Sequence, residues 1–143
     1  MHIIPYINLS GTAEEALNFY QGIFGGSIEI TRWSDMPPNP HMPVSDEWQN
    51  KVMHGALTIS DTMAVYAADS VMEEETDKQA SSVFLHLEFD SEDELRAAWD
   101  RLSAGGRVNM PVDRQFWGAV YGDLVDKFGI GWGLHHQLPE DAG

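Results

Sequence analysis

The chain of 143 residues contains no cysteine, which excludes a disulfide framework, a thiolate nucleophile, an iron–sulfur cluster and cysteine-ligated zinc. A reducing compartment fits that absence. Positive charge is also scarce: eight Lys and Arg stand against 23 Asp and Glu, a formal charge of −15. Such a surface repels phosphate backbones and anionic headgroups, so neither nucleic acid nor a membrane surface is an expected partner. No apolar run approaches the ~20 residues that span a bilayer. The opening MHIIPYINLSG has no basic stretch followed by an apolar core of the leader type. A soluble cytoplasmic protein is the expectation.

Hydrophobic residues make up 43% and charged residues 22%, ordinary proportions for a globular chain, so a single domain with a real core is expected. Residues 2–9 alternate, with Ile3, Pro5, Ile7 and Leu9 on one face and Ile4, Tyr6 and Asn8 on the other, the period of a strand. Thr12 and Glu15 offer a capping box for a helix carrying Ala16, Leu17, Phe19, Tyr20, Ile23 and Phe24. Gly25 and Gly26 stop it, and residues 27–33 alternate again. Four prolines (Pro37, Pro38, Pro40, Pro43) make residues 34–49 a long surface loop, of the kind that covers a binding site or a partner surface. Residues 52–59 and 63–68 then read as strands of a hairpin, completing a βαβββ order.

A polar stretch with Glu73, Glu74 and Glu75 follows, after which the order repeats. There is a strand at 82–89, a capping box from Ser91 to Glu94, a helix with Leu95, Ala98, Trp99 and Leu102, a strand at 107–112, and a hairpin of 115–125 with 130–136. The double glycines Gly25-Gly26 and Gly105-Gly106 lie 80 residues apart, and Phe19 matches Trp99 at the same spacing. The expected fold is α+β: two tandem βαβββ modules, 1–68 and 82–137, joined by a linker at 69–81. They form a curved mixed-sheet cup with helices outside.

This arrangement resembles the vicinal oxygen chelate superfamily of glyoxalases, bleomycin-resistance proteins and extradiol dioxygenases. The segments AEEALNFY (13–20), FGG (24–26), KVMH (51–54), FWG (116–118) and DKFG (126–129) followed by Trp132 are similar to its PhnB-like branch. That branch often carries the label 3-demethylubiquinone methyltransferase, yet no glycine-rich strand-to-helix turn for a nucleotide-like cofactor is present. The resemblance implies a site where His and Glu side chains hold a divalent metal. Its ligand positions fall at Ile4 or Pro5, Tyr66, Phe84 and Gly133, none of them a His or a carboxylate. Because a catalytic divalent metal typically needs three protein donors, no cofactor is expected, and a metal enters only through a displaced set such as His54, His86 and Asp123.

Strand parity places Val83, Leu85, Leu87 and Phe89 toward the helices and Phe84, His86 and Glu88 toward the cup. Tyr6 and Asn8 face inward by the same rule. These side chains read either as a polar anchor, with His86 as acid or base and Glu88 as its orienter, or as an internal hydrogen-bond network. His54 lies mid-strand and is either a ligand contact or a structural histidine. Trp117, Tyr121 and Asp123 share a face, giving an aromatic wall with one acid or plain packing. His2, His41, His135 and His136 carry no expected chemistry. The leading expectation is a small-molecule-binding homodimer lacking the usual metal site. The alternatives are a lyase, isomerase or dioxygenase that uses a displaced metal or His86, and a partner protein whose cup is filled by its own side chains.

Overall fold

A computed structural model of the chain describes residues 1–38, 40–41, 43–69 and 83–140. Most of the expected linker at 69–81, including Glu73 to Glu75, lies outside them. The chain divides into two compact units, Met1–Asp77 and Lys78–Gly143. Among the described residues no helix is long and apolar enough to cross a membrane.

The first unit runs β1 (Tyr6–Leu9), α1 (Ala13–Phe24), β2 (Ser27–Arg32), β3 (Val52–Thr58) and β4 (Ala64–Asp69). Its sheet has the order β1-β4-β3-β2, with β1 parallel to β4 and the other pairs antiparallel. The second unit runs β5 (Leu85–Glu88), α2 (Glu92–Leu102), β6 (Arg107–Gln115), β7 (Ala119–Val125) and β8 (Gly131–Gln137). Its order β5-β8-β7-β6 repeats the first, with β5 parallel to β8. The α+β fold of tandem βαβββ modules is therefore as the sequence pattern implied.

Each helix buries one face. Ala13, Ala16, Leu17 and Tyr20 of α1 are buried with Ile7, Leu57 and Val65; Leu95, Ala98, Trp99 and Leu102 of α2 are buried with Leu124 and Leu134. Each large side chain so buried stabilises the fold by about 1.5–3 kcal/mol relative to exposure.

The repeat extends to close approaches of backbone. A Cβ on Gly26 would strike the Thr58 carbonyl oxygen, and one on Gly106 would strike that of Val125. From β3 onward the offset between the units drops from 80 to 67, so that Gly55 matches Gly122 and Tyr66 matches Gly133. The cause is the connection between β2 and β3, residues 33–51, whose counterpart is only Phe116, Trp117 and Gly118 after a β6 that runs three residues longer than β2. That long loop includes two single-turn 3-10 segments, Trp33–Asp35 and Asp46–Trp48, so Trp33 ends the strand expected to include it.

Three local expectations are corrected. Thr12 makes no side-chain cap to α1. Asp69, expected to begin the linker, does that work from the end of β4: its Oδ1 accepts the N–H groups of Gly11 (2.7 Å) and Ala13 (3.0 Å), and its Oδ2 that of Val52 (3.1 Å). A full carboxylate satisfies more orphan donors than a threonine hydroxyl can. Ser91 does cap α2, accepting from Glu94 N–H at 3.1 Å. Val83 is exposed and not packed toward a helix, because β5 starts only at Leu85 and residues before it do not share its alternation.

Candidate functional site

In the first unit the face of the sheet away from α1 gathers three rings from three strands. Ile7 and Leu9 turn into the core, which leaves Tyr6 and Asn8 exposed on the other side of β1. Tyr6 pairs with Tyr66 across the parallel β1–β4 ladder, and their rings meet edge to face at 6.2 Å. The Tyr6 hydroxyl shares a 3.2 Å hydrogen bond with His54 Nδ1, and the His54 ring lies 5.1 Å from that of Tyr66. His54 is thus not an isolated core imidazole. It belongs to a Tyr–His–Tyr group with polar edges and apolar faces.

The second unit builds a different group on the corresponding face. Glu88 stands opposite His135 in the β5–β8 ladder, and His86, two residues before Glu88, shares its face. Glu88 Oε1 accepts from His86 Nε2 at 2.8 Å, and Oε2 accepts from His135 Nδ1 at 2.8 Å. A carboxylate only accepts, so these contacts fix the N–H on Nε2 of His86 and on Nδ1 of His135. The hydrogen bond from His86 first, then that from His135, holds the Glu88 carboxyl below the usual carboxylate range.

On β7, the Tyr121 hydroxyl donates to Asp123 Oδ2 at 3.1 Å. Burial pushes the Tyr121 phenol above its ordinary range, and the neighbouring Asp123 charge adds to the shift. The Tyr121 ring lies 6.4 Å from that of His135 and 6.1 Å from that of Trp117. Trp117 precedes β7, in the turn that links it to β6, and is half exposed. Phe84 precedes β5 and sets its ring against Gly131, at the place where a Cβ would stand.

The predicted residues therefore fall into Tyr6, His54 and Tyr66 in one unit and His86, Glu88, Tyr121, Asp123 and Trp117 in the other, with Asn8 exposed beside Tyr6 on β1 and Phe84 just ahead of β5. The expected displaced metal set draws His54 from the first unit and His86 and Asp123 from the second. His54 is bound to Tyr6, Asp123 takes the Tyr121 hydroxyl, and His86 is joined by Glu88 and His135. Sequence reasoning missed His135. Its signal was available only through register, since a side chain 47 residues from Glu88 meets it only because β5 and β8 are parallel neighbours.

Comparisons with known proteins agree with this architecture. Protein YjdN of Escherichia coli (strain K12) is 25% identical over 142 residues, 92% of each chain. The crystal structure of protein PA1353 from Pseudomonas aeruginosa is 28% identical with a TM-score of 0.81, covering 97% of this chain and 99% of that one. The PhnB protein from Bacillus cereus, at 23% identity, has the same fold, with a TM-score of 0.76 over 95% of this chain and 99% of its own. The family model described as Glyoxalase/Bleomycin resistance protein/Dioxygenase superfamily matches residues 4–134, and the chain belongs to that superfamily.

Proposed function

We propose that this is a PhnB-like member that binds a small organic molecule in the cytoplasm, as a homodimer, without the superfamily's usual metal site. One observation carries the reading: the family's ligand positions hold no metal donors of the needed kind, while the same strands present aromatic faces and hydrogen-bonding heads. Tyr66 packs its ring on Tyr6 and His54, Phe84 lies on Gly131, Gly133 has no side chain, and Ile4 and Pro5 are apolar. A divalent ion finds no imidazole or carboxylate there, so those residues do not fit the group. Aromatic walls with a few convergent polar groups are instead the usual lining of a small-molecule site.

The test is a thermal-shift and fluorescence screen of metal-free protein against planar, hydrogen-bonding organic compounds. A saturating binder should raise the midpoint, by about 2.7 kcal/mol of linkage at one hundred times its Kd. Tyr66→Ala should weaken a compound held by the first unit, and Trp117→Ala one held by the second, at least tenfold. A screen in which every hit binds both variants as tightly as the unmodified protein overturns the reading. Light scattering decides the dimer.

A second reading, acid–base catalysis by His86, is favoured by the 2.8 Å contact that orients its ring on Glu88. It requires turnover of the bound compound and its loss in His86→Ala with binding retained.

A further inference from the structure

We infer that His86, Glu88 and His135 form a divalent-cation site contained within the second unit and distinct from the superfamily's ligand set. Among the described residues these three offer donor atoms all within 4.8 Å of one another. The set is two imidazoles and a carboxylate, which suits zinc, cobalt or iron(II) better than magnesium or calcium, whose ligands are oxygens.

The backbone, rather than chance side-chain proximity, brings the donors together. Glu88 and His135 face each other across a ladder rung, and His86 lies one period of two along the same strand face. In the hydrogen-bonded state both carboxylate oxygens are 2.8 Å from imidazole nitrogens. A cation about 2.1 Å from each donor would hold neighbouring donors roughly 3.0–3.4 Å apart. Donor shifts of about an ångström, with the proton of each imidazole passing to its other ring nitrogen so that the lone pair faces the cation, therefore convert one arrangement into the other.

The site is also open. The His86 and Glu88 side chains are 50% and 65% exposed, leaving the remaining coordination positions to water or to a ligand oxygen. His135 is more sheltered, at 17%, and anchors the group. A formal charge of −15 on the chain further favours cations over competing anions at its surface. The inference goes beyond the small-molecule reading and stands without it.

The experiment uses tag-free, full-length protein stripped with chelator, reloaded separately with zinc and cobalt(II), and desalted. Metal is read by elemental analysis, and cobalt coordination by its visible absorption. About one equivalent per chain should be retained, with a cobalt spectrum showing nitrogen ligation. Affinity should fall at least tenfold in each of His86→Ala, Glu88→Gln and His135→Ala, since even groups that only support a ligand cost 10–100-fold. His2→Ala should leave it unchanged. Circular dichroism checks folding, and if the sheltered His135 variant fails to fold, the exposed His86 and Glu88 variants carry the test.

Retention far below one equivalent overturns the proposal, as does binding that survives all three substitutions or falls equally in His2→Ala. In those cases the group is a hydrogen-bonded network only. No organic compound enters the experiment, so its failure leaves the ligand screen of metal-free protein untouched, and a failed screen leaves this result untouched.

Discussion

Gly133 of β8 leaves open the space that the Tyr121 hydroxyl occupies: a Cβ on Gly133 would lie 3.0 Å from that oxygen. At the matching place the first unit has Tyr66. One unit fills the position with a ring from its own strand, and the other lends it to a ring from the neighbouring strand.

Gly133→Ala should therefore push the Tyr121 ring outward, lengthen its 3.1 Å bond to Asp123 and return its ionisation toward the ordinary value near 10. Asp123→Asn should return it only in part, because burial is the larger cause. Carbon-13 NMR titration of the tyrosine ring reads both. With the folded value raised, the unfolded chain loses its proton first, so this group makes stability fall as pH rises through 10 and beyond.

Acid should weaken the second unit through Glu88. Its folded pKa is depressed below 4.5, so the stability it contributes is fully present above 4.5 and is lost as pH falls through the lower, folded value. Since the side chain is largely exposed, solvent screening limits the effect to no more than about 1 kcal/mol. Urea unfolding between pH 7 and pH 3 should show the unmodified protein losing more stability than Glu88→Gln. Equal losses would remove Glu88 from the account.

Asp69→Ala should cost about 3 kcal/mol or more, because three backbone N–H groups, two of them in buried contacts, lose their acceptor. Asp69→Asn should fall between, since one oxygen survives while an amide N–H₂ is turned toward donors. Urea midpoints rank the three proteins; a neutral Asp69→Ala would mean that α1 is capped by other means.

Gly106→Ala should be severe, at roughly 2 kcal/mol or more, since its Cβ meets the backbone of Val125 and Asp126, which cannot rotate away. Gly25→Ala meets nothing within 4 Å, but its φ of 76° suits glycine, so the cost there is only about 1 kcal/mol of backbone strain. Thermal unfolding of the two variants should separate them clearly.

The fold was legible because its signals are local and repeated. Strand alternation, capping at Ser91, the double glycines and the 80-residue echo of Phe19 in Trp99 all act within a few residues or by comparison of halves. Asp69 and His135 were not legible. Asp69 caps a helix 56 residues upstream of itself, and His135 reaches Glu88 across a parallel ladder, so their roles are set by register, which no periodicity reveals. Parity did place Tyr6, Asn8, His86 and Glu88 on the exposed faces of their strands, but it could not say which would touch. The end of the strand at Arg32, ahead of Trp33, was hidden for a similar reason. The Trp33 indole donates to the Asp69 carbonyl at 3.2 Å, a long-range contact that local alternation does not encode.

The unequal connections between otherwise matching strands bear on how the chain reaches this fold. Closing residues 33–51 costs about 1–2 kcal/mol more loop entropy than closing Phe116 to Gly118, so the β6–β7 hairpin nucleates more readily than β2 with β3. On this ground β2 of the first unit is expected to find β3 later than β6 finds β7, which leaves the first unit the more exposed of the two to mispairing while it folds.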